Sequence, residues 1–419
     1  MLTSMTRRPK DGLWQNPDFM RLWGAQTLSA IGTRFTREGL PIIAALTLDA
    51  SATDLGILVA LSMLPGVLLS PFVGAWIDRT RRRRVLIMAD LLRAAVLLTL
   101  PVMAWLDAIT IGQVIGVATV VALFSMVFQT ADNAYLPTVV EKDELLEGNA
   151  KLATTDALAE IAGPALAGVA IQTLTAPFAI LFDALSYLWS AVLLASIKRP
   201  EPPLVTGEHT PDLWRETREG LRFVFGHPVL RPLTLCLATL AFFLSFFAPL
   251  YVLYAVRDLG IQPGLLGFIV ALGGISGLVG ARLAAWAGRR FSVRRILIGA
   301  LLAYGVVICF IPLAQGPLWV AAGALCISQL FGDGLWVAFS TNATVLRQTV
   351  TPDSLRGREA GMVHLLTGGL GLIAALTAGF VADRIGIRIV LWAGALGVFA
   401  SSLWLLALPR NVDQRYSGD

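Results

Sequence analysis

The stretch TRFTREGLP, residues 33–41, places three charged side chains near the middle of a long apolar segment. Arg34 and Glu38 are four residues apart, so in a helix they can pair along one face. Arg37 is then left to bind another acid or a ligand. Because a charge inside a membrane is costly, such residues usually face a cavity or a partner.

Further acids lie inside apolar segments, and the candidates among them are Glu160, Asp183 and Asp333. A carboxyl group in a low-dielectric cavity favours its protonated form, and an approaching cation reverses that preference. We therefore predict that Arg34 and Arg37 hold an anionic or polar group, while Glu38 or Glu160 takes up and releases a proton. The alternative is that these residues form permanent salt bridges between helices. Tyr251 and Tyr254 are additional candidates for lining a cavity, because their hydroxyl groups need partners.

The composition excludes an ordinary soluble protein. Of the 419 residues, 56% are hydrophobic and only 15% are charged, and the mean hydropathy is +0.71; soluble domains carry about 25% charged residues. The apolar runs are continuous and about 20 residues long, which predicts membrane-spanning helices rather than the alternating strands of a barrel. The three cysteines lie inside apolar runs without metal-ligand spacing, so we expect neither disulfides, metals nor cofactors.

The fold predicted from these runs is all-α, with twelve transmembrane helices arranged as two six-helix repeats. The long polar connection divides the chain into an N-terminal half (1–198), a cytoplasmic linker (199–229) with an amphipathic helix containing Leu213, Trp214, Leu221 and Phe225, and a C-terminal half (230–419). The predicted spans are 19–47, 55–77, 84–106, 110–132, 149–173, 177–197, 230–256, 264–287, 294–314, 317–341, 358–381 and 387–408.

The basic residues orient these spans. With the N-terminus inside, the cytoplasmic segments and the adjoining span ends hold 26 of the 33 lysines and arginines, the opposite side holds 3, and 4 lie deeper within spans. This asymmetry predicts that both termini are cytoplasmic.

The two halves repeat each other at an offset of about 210 residues. Pro41 in GLPIIAAL corresponds to Pro249 in APLYVLYA, and DLGILVAL corresponds to LLGFIVAL. In the second span of each half, a small residue recurs at every fourth position, which allows helices to approach closely. Parallel repeats of six spans are one architecture of transporters, with the substrate site between the halves near the midplane.

The segment GAWIDRTRRRRV, residues 74–85, follows the second span and packs five arginines into six positions. Its acid, Asp78, can accept hydrogen bonds from the N-terminus of a neighbouring helix. The arginines can pair with an acid at the inner end of another span, for which Asp132 is the candidate. We expect this cluster to hold the halves together when the protein opens outward and to break when it opens inward. The alternative is that the arginines only anchor the topology.

This segment resembles the signature loop of the major facilitator superfamily, with the pattern G-x-x-x-D-R/K-x-G-R/K-R/K. Five residues match it: Gly74, Asp78, Arg79, Arg82 and Arg83. Trp76 departs from the usual Leu, and Arg81 replaces the usual Gly. A similar sequence, GFVADRIGIR at 379–388, follows the eleventh predicted span and therefore lies on the opposite side of the membrane. There we expect Asp383 only to cap a turn.

Other stretches narrow the resemblance. NPDFMRLWGAQTLSAIG and ADNAYLPTVVEKDELLEGNAKL resemble the branch that includes the enterobactin exporter and macrolide-efflux proteins. In AEIAGPALAG of the fifth span, Gly163, Pro164 and Gly168 match an antiporter signature associated with a helix bend, while Ala159 replaces its first Gly. The resemblance implies export of a small molecule.

The function that these features predict is secondary active export of a drug- or siderophore-like molecule across the bacterial inner membrane, by proton antiport with alternating access. A facilitator or uptake symporter for an organic anion or lipid-like substrate is the alternative. An enzyme is not expected, since the chain has only three histidines and no nucleophile–base set. The expected partners are the substrate, protons and membrane lipid but no nucleic acid, and the family implies a monomer.

Overall fold

The computed structural model describes residues 12–201 and 213–409, and these residues form a bundle of long helices. Six helices make up the first half: α1 (Pro17–Ile42), α2 (Ala52–Ile77), α3 (Arg82–Trp105), α4 (Ile111–Asn133), α5 (Leu145–Leu174) and α6 (Ala176–Ser196). After α7 (Leu213–Gly226), six more follow: α8 (Leu230–Asp258), α9 (Pro263–Gly288), α10 (Val293–Leu313), α11 (Leu318–Val350), α12 (Arg356–Ile385) and α13 (Ile387–Ala407).

Eleven helices in the described part of the chain are long and apolar enough to cross a membrane. They are all of the long helices except α1, which carries Asp18, Arg21, Arg34, Arg37 and Glu38. These charges lower the hydropathy of α1, although it packs between α5 and α6 as a span would. The helical membrane fold is confirmed, while a twelfth span at α1 remains a prediction. Both chain termini lie outside the described residues.

Two groups of contacts identify the ends of the bundle. At the end that we call the arginine-rich end, the Arg83 guanidinium at the start of α3 donates to the carbonyl oxygens of Leu194 and Ala195 at the end of α6. At the other end, which we call the opposite end, the Tyr254 hydroxyl of α8 donates to the Ala314 carbonyl oxygen at 2.5 Å. The arginine-rich end is the one that the sequence predicts to be cytoplasmic.

The two halves contact each other along two helix crossings near the opposite end. In the crossing of α2 with α12, a Cβ atom on Gly56 would lie only 2.7 Å from the Ala375 carbonyl oxygen. In the crossing of α5 with α9, a Cβ atom on Gly168 would lie 2.5 Å from the Pro263 carbonyl oxygen and 3.0 Å from the Gly267 Cα. Because only glycine permits this approach, the crossings depend on the small residues at these positions.

Toward the arginine-rich end the helices of these crossings diverge. A Cβ atom on Gly74 of α2, or on Gly361 of α12, would meet nothing within 4 Å. The Asp78 side chain at the end of α2 is 74% exposed. The halves are therefore closed together at the opposite end and open toward the arginine-rich end.

The amphipathic helix predicted in the linker forms as α7, and it packs against the second half. Val224 is fully buried, and a Cβ atom on Gly220 would lie 2.9 Å from the Arg358 carbonyl oxygen of α12. The Arg358 guanidinium also binds the Glu219 carboxylate at 2.6 Å. These contacts attach α7 to the second half. The sequence also assigns Leu213 and Trp214 to this helix, and their side chains are outside the part that the structure describes.

Candidate functional site

An ion-pair cluster joins α1 to α5 at the middle of the bundle. Arg34 binds the Glu160 carboxylate at 2.5 Å, and Arg37 lies 3.4 Å from its other oxygen. Glu160 is at the midpoint of α5, yet its side chain is 44% exposed, and that of Arg37 is 61% exposed. Because charged groups within membrane-spanning helices almost always face the bundle interior or a water-filled cavity, this exposure indicates a cavity beside the two helices. This cluster is the centre of the candidate site.

Asp333 of the second half faces the same cavity from α11. The charges of Glu160 and Arg37 act on its carboxylate, although no hydrogen bond or ion pair links it to another described residue. Asp333 lines a pocket of about 110 Å³ together with Tyr251 and Gln329, and the Gln329 amide lies 3.3 Å from the Tyr251 hydroxyl. The site therefore combines charges from the first half with polar groups from the second.

Glu38 and Asp183 have surroundings different from those of Glu160. The predicted pairing of Arg34 with Glu38 does not form, because Arg34 binds Glu160; Glu38 makes no hydrogen bond or ion pair with the described residues. Asp183 is fully buried within the first half, where it accepts hydrogen bonds from Thr36 and Ser186. Of the predicted acids, Glu160 and Asp333 thus face the space between the halves most directly.

Tyr251 and Tyr254, one turn apart on α8, also differ in position. Tyr251, a predicted cavity-lining residue, lines the pocket beside Asp333. Tyr254 is 3% exposed and bonded to the Ala314 carbonyl oxygen, so it contributes to packing at the opposite end.

The contacts predicted for the signature loop, of Asp78 with a neighbouring helix and of an arginine with Asp132, do not form among the described residues in this conformation. Asp78 is 3.8 Å from Arg82 of its own loop, and Arg82 also donates to the Ala134 carbonyl oxygen. Asp132 accepts a hydrogen bond at 2.5 Å from the Gln26 amide of α1 and not from an arginine. The backbone N–H groups of Arg82 and Arg83 donate to the Glu201 carboxylate, which caps α3.

The motif predicted to bend α5 lies at close contacts. Gly163 makes room for Arg34, since a Cβ atom there would overlap the Arg34 side chain. The Pro164 carbonyl oxygen lies against Gly267, and Gly168 forms the crossing with α9. The helix continues through Pro164 from Leu145 to Leu174. The motif therefore serves the ion pair and the contact between the halves.

The opposite end carries several polar contacts between the halves. Asp383 of α12 accepts hydrogen bonds at 2.9 Å from the backbone N–H groups of Ala52 and Thr53, and so caps α2 of the other half. Arg257 binds the Ala45 carbonyl oxygen and lies 2.8 Å from the Asp49 carboxylate. The Gly264 N–H donates to Gln172 at 3.0 Å. Asp383 was expected to cap a local turn, so its partner helix is a correction to that expectation.

A second charge cluster, which is buried, lies within the first half. Asp90 and Arg93 form an ion pair in which both side chains are almost fully buried. The Arg93 guanidinium lies 4.4 Å from the ring centroid of Phe128 and 4.0 Å from that of Tyr187, and Tyr187 bonds to Thr33 at 3.0 Å. The spacing of three between Asp90 and Arg93 allows this pair within one helix, but nothing in the sequence indicates its aromatic partners. Gln26 and Gln329 were also missed, although Gln329 precedes Asp333 by one turn on an apolar helix.

Comparisons with known proteins agree with this architecture. The sequence model of the Major Facilitator Superfamily matches residues 22–375. The chain is 28% identical to the multidrug efflux pump Tap of Mycolicibacterium fortuitum over 413 residues, covering 94% of this chain and 96% of that protein. It is 24% identical to macrolide efflux protein A of Streptococcus pyogenes over 204 residues, covering 48% and 50%.

Among solved structures, a bacterial homologue of the iron transporter ferroportin in its inward-facing state superposes with a TM-score of 0.73. The sequence identity is 19%, and the match covers 93% of this chain and 98% of that chain. At this identity the likeness concerns the fold.

Proposed function

The chain belongs to the Major Facilitator Superfamily and is a multi-pass membrane transporter related to multidrug efflux pumps, and from this premise we propose that it exports a small molecule by proton antiport. The observation that carries the proposal is the ion-pair cluster of Arg34, Arg37 and Glu160, which faces Asp333 across the space between the halves. A titratable carboxylate held by arginines in such a place can exchange a proton for a substrate.

Glu160 is the proposed proton carrier. Its two ion pairs require an ionised carboxylate, so protonation removes the charge and frees Arg34 and Arg37. The freed guanidinium groups can then bind a polar or anionic group, or the ionised carboxylate can bind a cationic substrate in their place. The charge of Glu160 also acts on the Asp333 carboxylate, so the two acids can respond to the same substrate. Glu38 is a second candidate on the same helix.

Alternating access is the proposed mechanism of movement. The conformation described above, closed at the opposite end and open at the arginine-rich end, is one of the two states that such a cycle requires. In the other state the arginine-rich ends would close, and Asp78 would then be able to reach the N-terminus of α12. Its exposure here leaves it available for that contact.

The proposed substrate has an apolar body and an ionisable group. The relatives named for multidrug and macrolide efflux support this class, and the pocket beside Asp333 offers Tyr251 and apolar neighbours to such a molecule. We place the protein in the bacterial inner membrane as a monomer, with its arginine-rich end in the cytoplasm. The alternative is a facilitator or an uptake symporter on the same fold.

Proteoliposomes that contain a pH-sensitive dye test the proposal. Erythromycin as a macrolide and ethidium as a lipophilic cation are supplied as substrates, and proton and substrate fluxes are measured together. We expect substrate-dependent proton flux in the wild type and its loss in Glu160→Gln, with substrate binding retained. Asp333→Asn is expected to weaken the coupling, because its charge is removed from the same cavity.

Glu147→Gln is the matched control, because Glu147 is on the same helix but pairs with Lys151 at its arginine-rich end. It should transport as the wild type does. Substrate flux without proton flux in the wild type would indicate a facilitator. If Glu160→Gln and Glu38→Gln both couple normally, the carboxylates at this depth are structural.

A further inference from the structure

Two apolar grooves on the surface of the bundle are related by the internal repeat. The first, of about 600 Å³, lies among α2, α3 and α4, and the second, of about 750 Å³, lies among α9, α10 and α11. Their lining residues correspond at offsets of 210 to 211. The pairs are Trp76 with Trp286, Val85 with Ile296, and Phe124 with Leu335. Each half therefore contains one copy of the same groove.

Each groove begins at the arginine-rich end and runs into the membrane-spanning part. Trp76 and Trp286 stand at the mouths, each about half exposed. Leu92 of the first groove lies ten residues into α3, which is about 15 Å along the helix. Tryptophan is typical of the membrane–water boundary. The position and depth of the grooves suit the upper part of a lipid acyl chain.

The charged residues that line the grooves are all arginines. Arg79, Arg81 and Arg84 line the first groove, and Arg295 lines the second. All four are exposed, and no side-chain hydrogen bond or ion pair links them to the described residues. Within the part of the chain that the structure describes, no aspartate or glutamate lines either groove. Each groove thus combines an apolar channel with uncompensated positive charge at its mouth.

We propose that each groove binds one anionic phospholipid from the leaflet at the arginine-rich end. The acyl chain would fill the apolar channel, and the phosphate would be bound by the arginines, which form charge-assisted hydrogen bonds to phosphate. Basic pockets between transmembrane helices on this side of a membrane recognise such headgroups. The first groove, with three arginines, binds more tightly than the second.

Native mass spectrometry of the detergent-solubilised protein tests this assignment. The protein is equilibrated with phosphatidylglycerol or with zwitterionic phosphatidylcholine, and the lipids retained per chain are counted. We expect two phosphatidylglycerol molecules to be retained in preference to phosphatidylcholine. Arg295→Gln should weaken retention at one site about fivefold, and the double change Arg81→Gln with Arg84→Gln should weaken the other about thirtyfold.

Two further variants separate the groove from general surface charge. Gly299→Leu fills the second groove without removing charge, because a Cβ atom on Gly299 would meet nothing within 4 Å; it should reduce retention to one lipid. Arg289→Gln removes a charge at the same end outside the groove lining and should retain both lipids. Thermal unfolding in detergent checks that every variant is folded.

The proposal is overturned if the wild type retains phosphatidylcholine as well as it retains phosphatidylglycerol. It is also overturned if Arg289→Gln acts as strongly as Arg295→Gln, since diffuse charge would then account for the binding. Retention of two lipids by folded Gly299→Leu would equally refute the role of the apolar channel.

Discussion

Replacing Asp383 with alanine should open the opposite end of the bundle. Asp383 is on α12, and its carboxylate accepts hydrogen bonds from the N–H groups of Ala52 and Thr53 and, at 2.5 Å, from the Thr53 hydroxyl. These groups are at the N-terminus of α2, where unpaired N–H groups and the helix dipole favour a negative charge. The substitution removes the cap that one half provides to the other, while the glycine crossings remain.

The size of the effect follows from this geometry. Loss of an N-terminal cap costs about 0.5–2 kcal/mol, and hydrogen bonds to a charged group contribute about 1.5–3 kcal/mol. Because these atoms are partly exposed, water replaces some of the lost bonds, and we expect about 2 kcal/mol. This corresponds to a change of about thirtyfold in the ratio of closed to open molecules, since 1.4 kcal/mol is about tenfold.

Pulsed electron paramagnetic resonance measures that ratio directly. Spin labels are attached at Ala108→Cys and Gln315→Cys, which are exposed positions in loops of the two halves at the opposite end. The background lacks the three native cysteines, each replaced by alanine: Cys236, Cys309 and Cys326. We expect a short-distance population in the unsubstituted background and a marked gain of the long-distance population in Asp383→Ala.

Arg384→Gln controls for the loss of a charge beside Asp383 without the loss of a contact between the halves. Arg384 donates to the Phe380 carbonyl oxygen of its own helix and lies over the Phe380 ring. It should leave the distances unchanged. Thr53→Val removes one of the three bonds and should give a smaller shift than Asp383→Ala. Unchanged distances in folded Asp383→Ala would refute the reasoning, because the glycine crossings alone would then keep this end closed.

Three other substitutions test the packing. Gly163→Ala should displace Arg34 from the carboxylate that it binds on α5 and reduce proton-coupled transport about tenfold, since overpacking costs about 1–3 kcal/mol; flux assays and unfolding temperature distinguish this from misfolding. Arg93→Leu should destabilise the protein by about 3–5 kcal/mol in detergent unfolding, and adding Asp90→Leu should recover most of the loss because no buried charge is then unpaired. Gly267→Leu should prevent the crossing of α5 with α9, which spin-label distances across the opposite end would report as opening.

The helices were the most predictable feature of the chain. The predicted span 84–106 became Arg82–Trp105, while the span 317–341 became the longer helix Leu318–Val350. Hydropathy marks the part of a helix that needs an apolar environment, whereas the helix continues into the polar region for as long as its backbone bonds and packing allow. The difference is therefore largest where a helix extends beyond the membrane.

Partners across the bundle were less predictable than the residues themselves. The spacing of Arg34 and Glu38 predicts a pair, but a spacing of four only makes contact available on one helix. Glu160 competes for the same guanidinium from another helix, and Gly163 provides the space for it. The sequence likewise predicts that Asp383 caps a turn, but it does not indicate that the capped helix is α2 of the other half.

The sequence by itself determined that this is a helical membrane protein with a family signature loop, and it predicts a repeat of six spans in each half. These properties are local or periodic, because a hydrocarbon environment requires each span to satisfy its own backbone hydrogen bonds. Only the tertiary structure decided that Arg34 binds Glu160, that Asp383 caps α2 of the other half, and that the bundle is open at the arginine-rich end. Those features depend on where distant helices cross, and the crossings are set by close contacts between residues that are far apart in the chain.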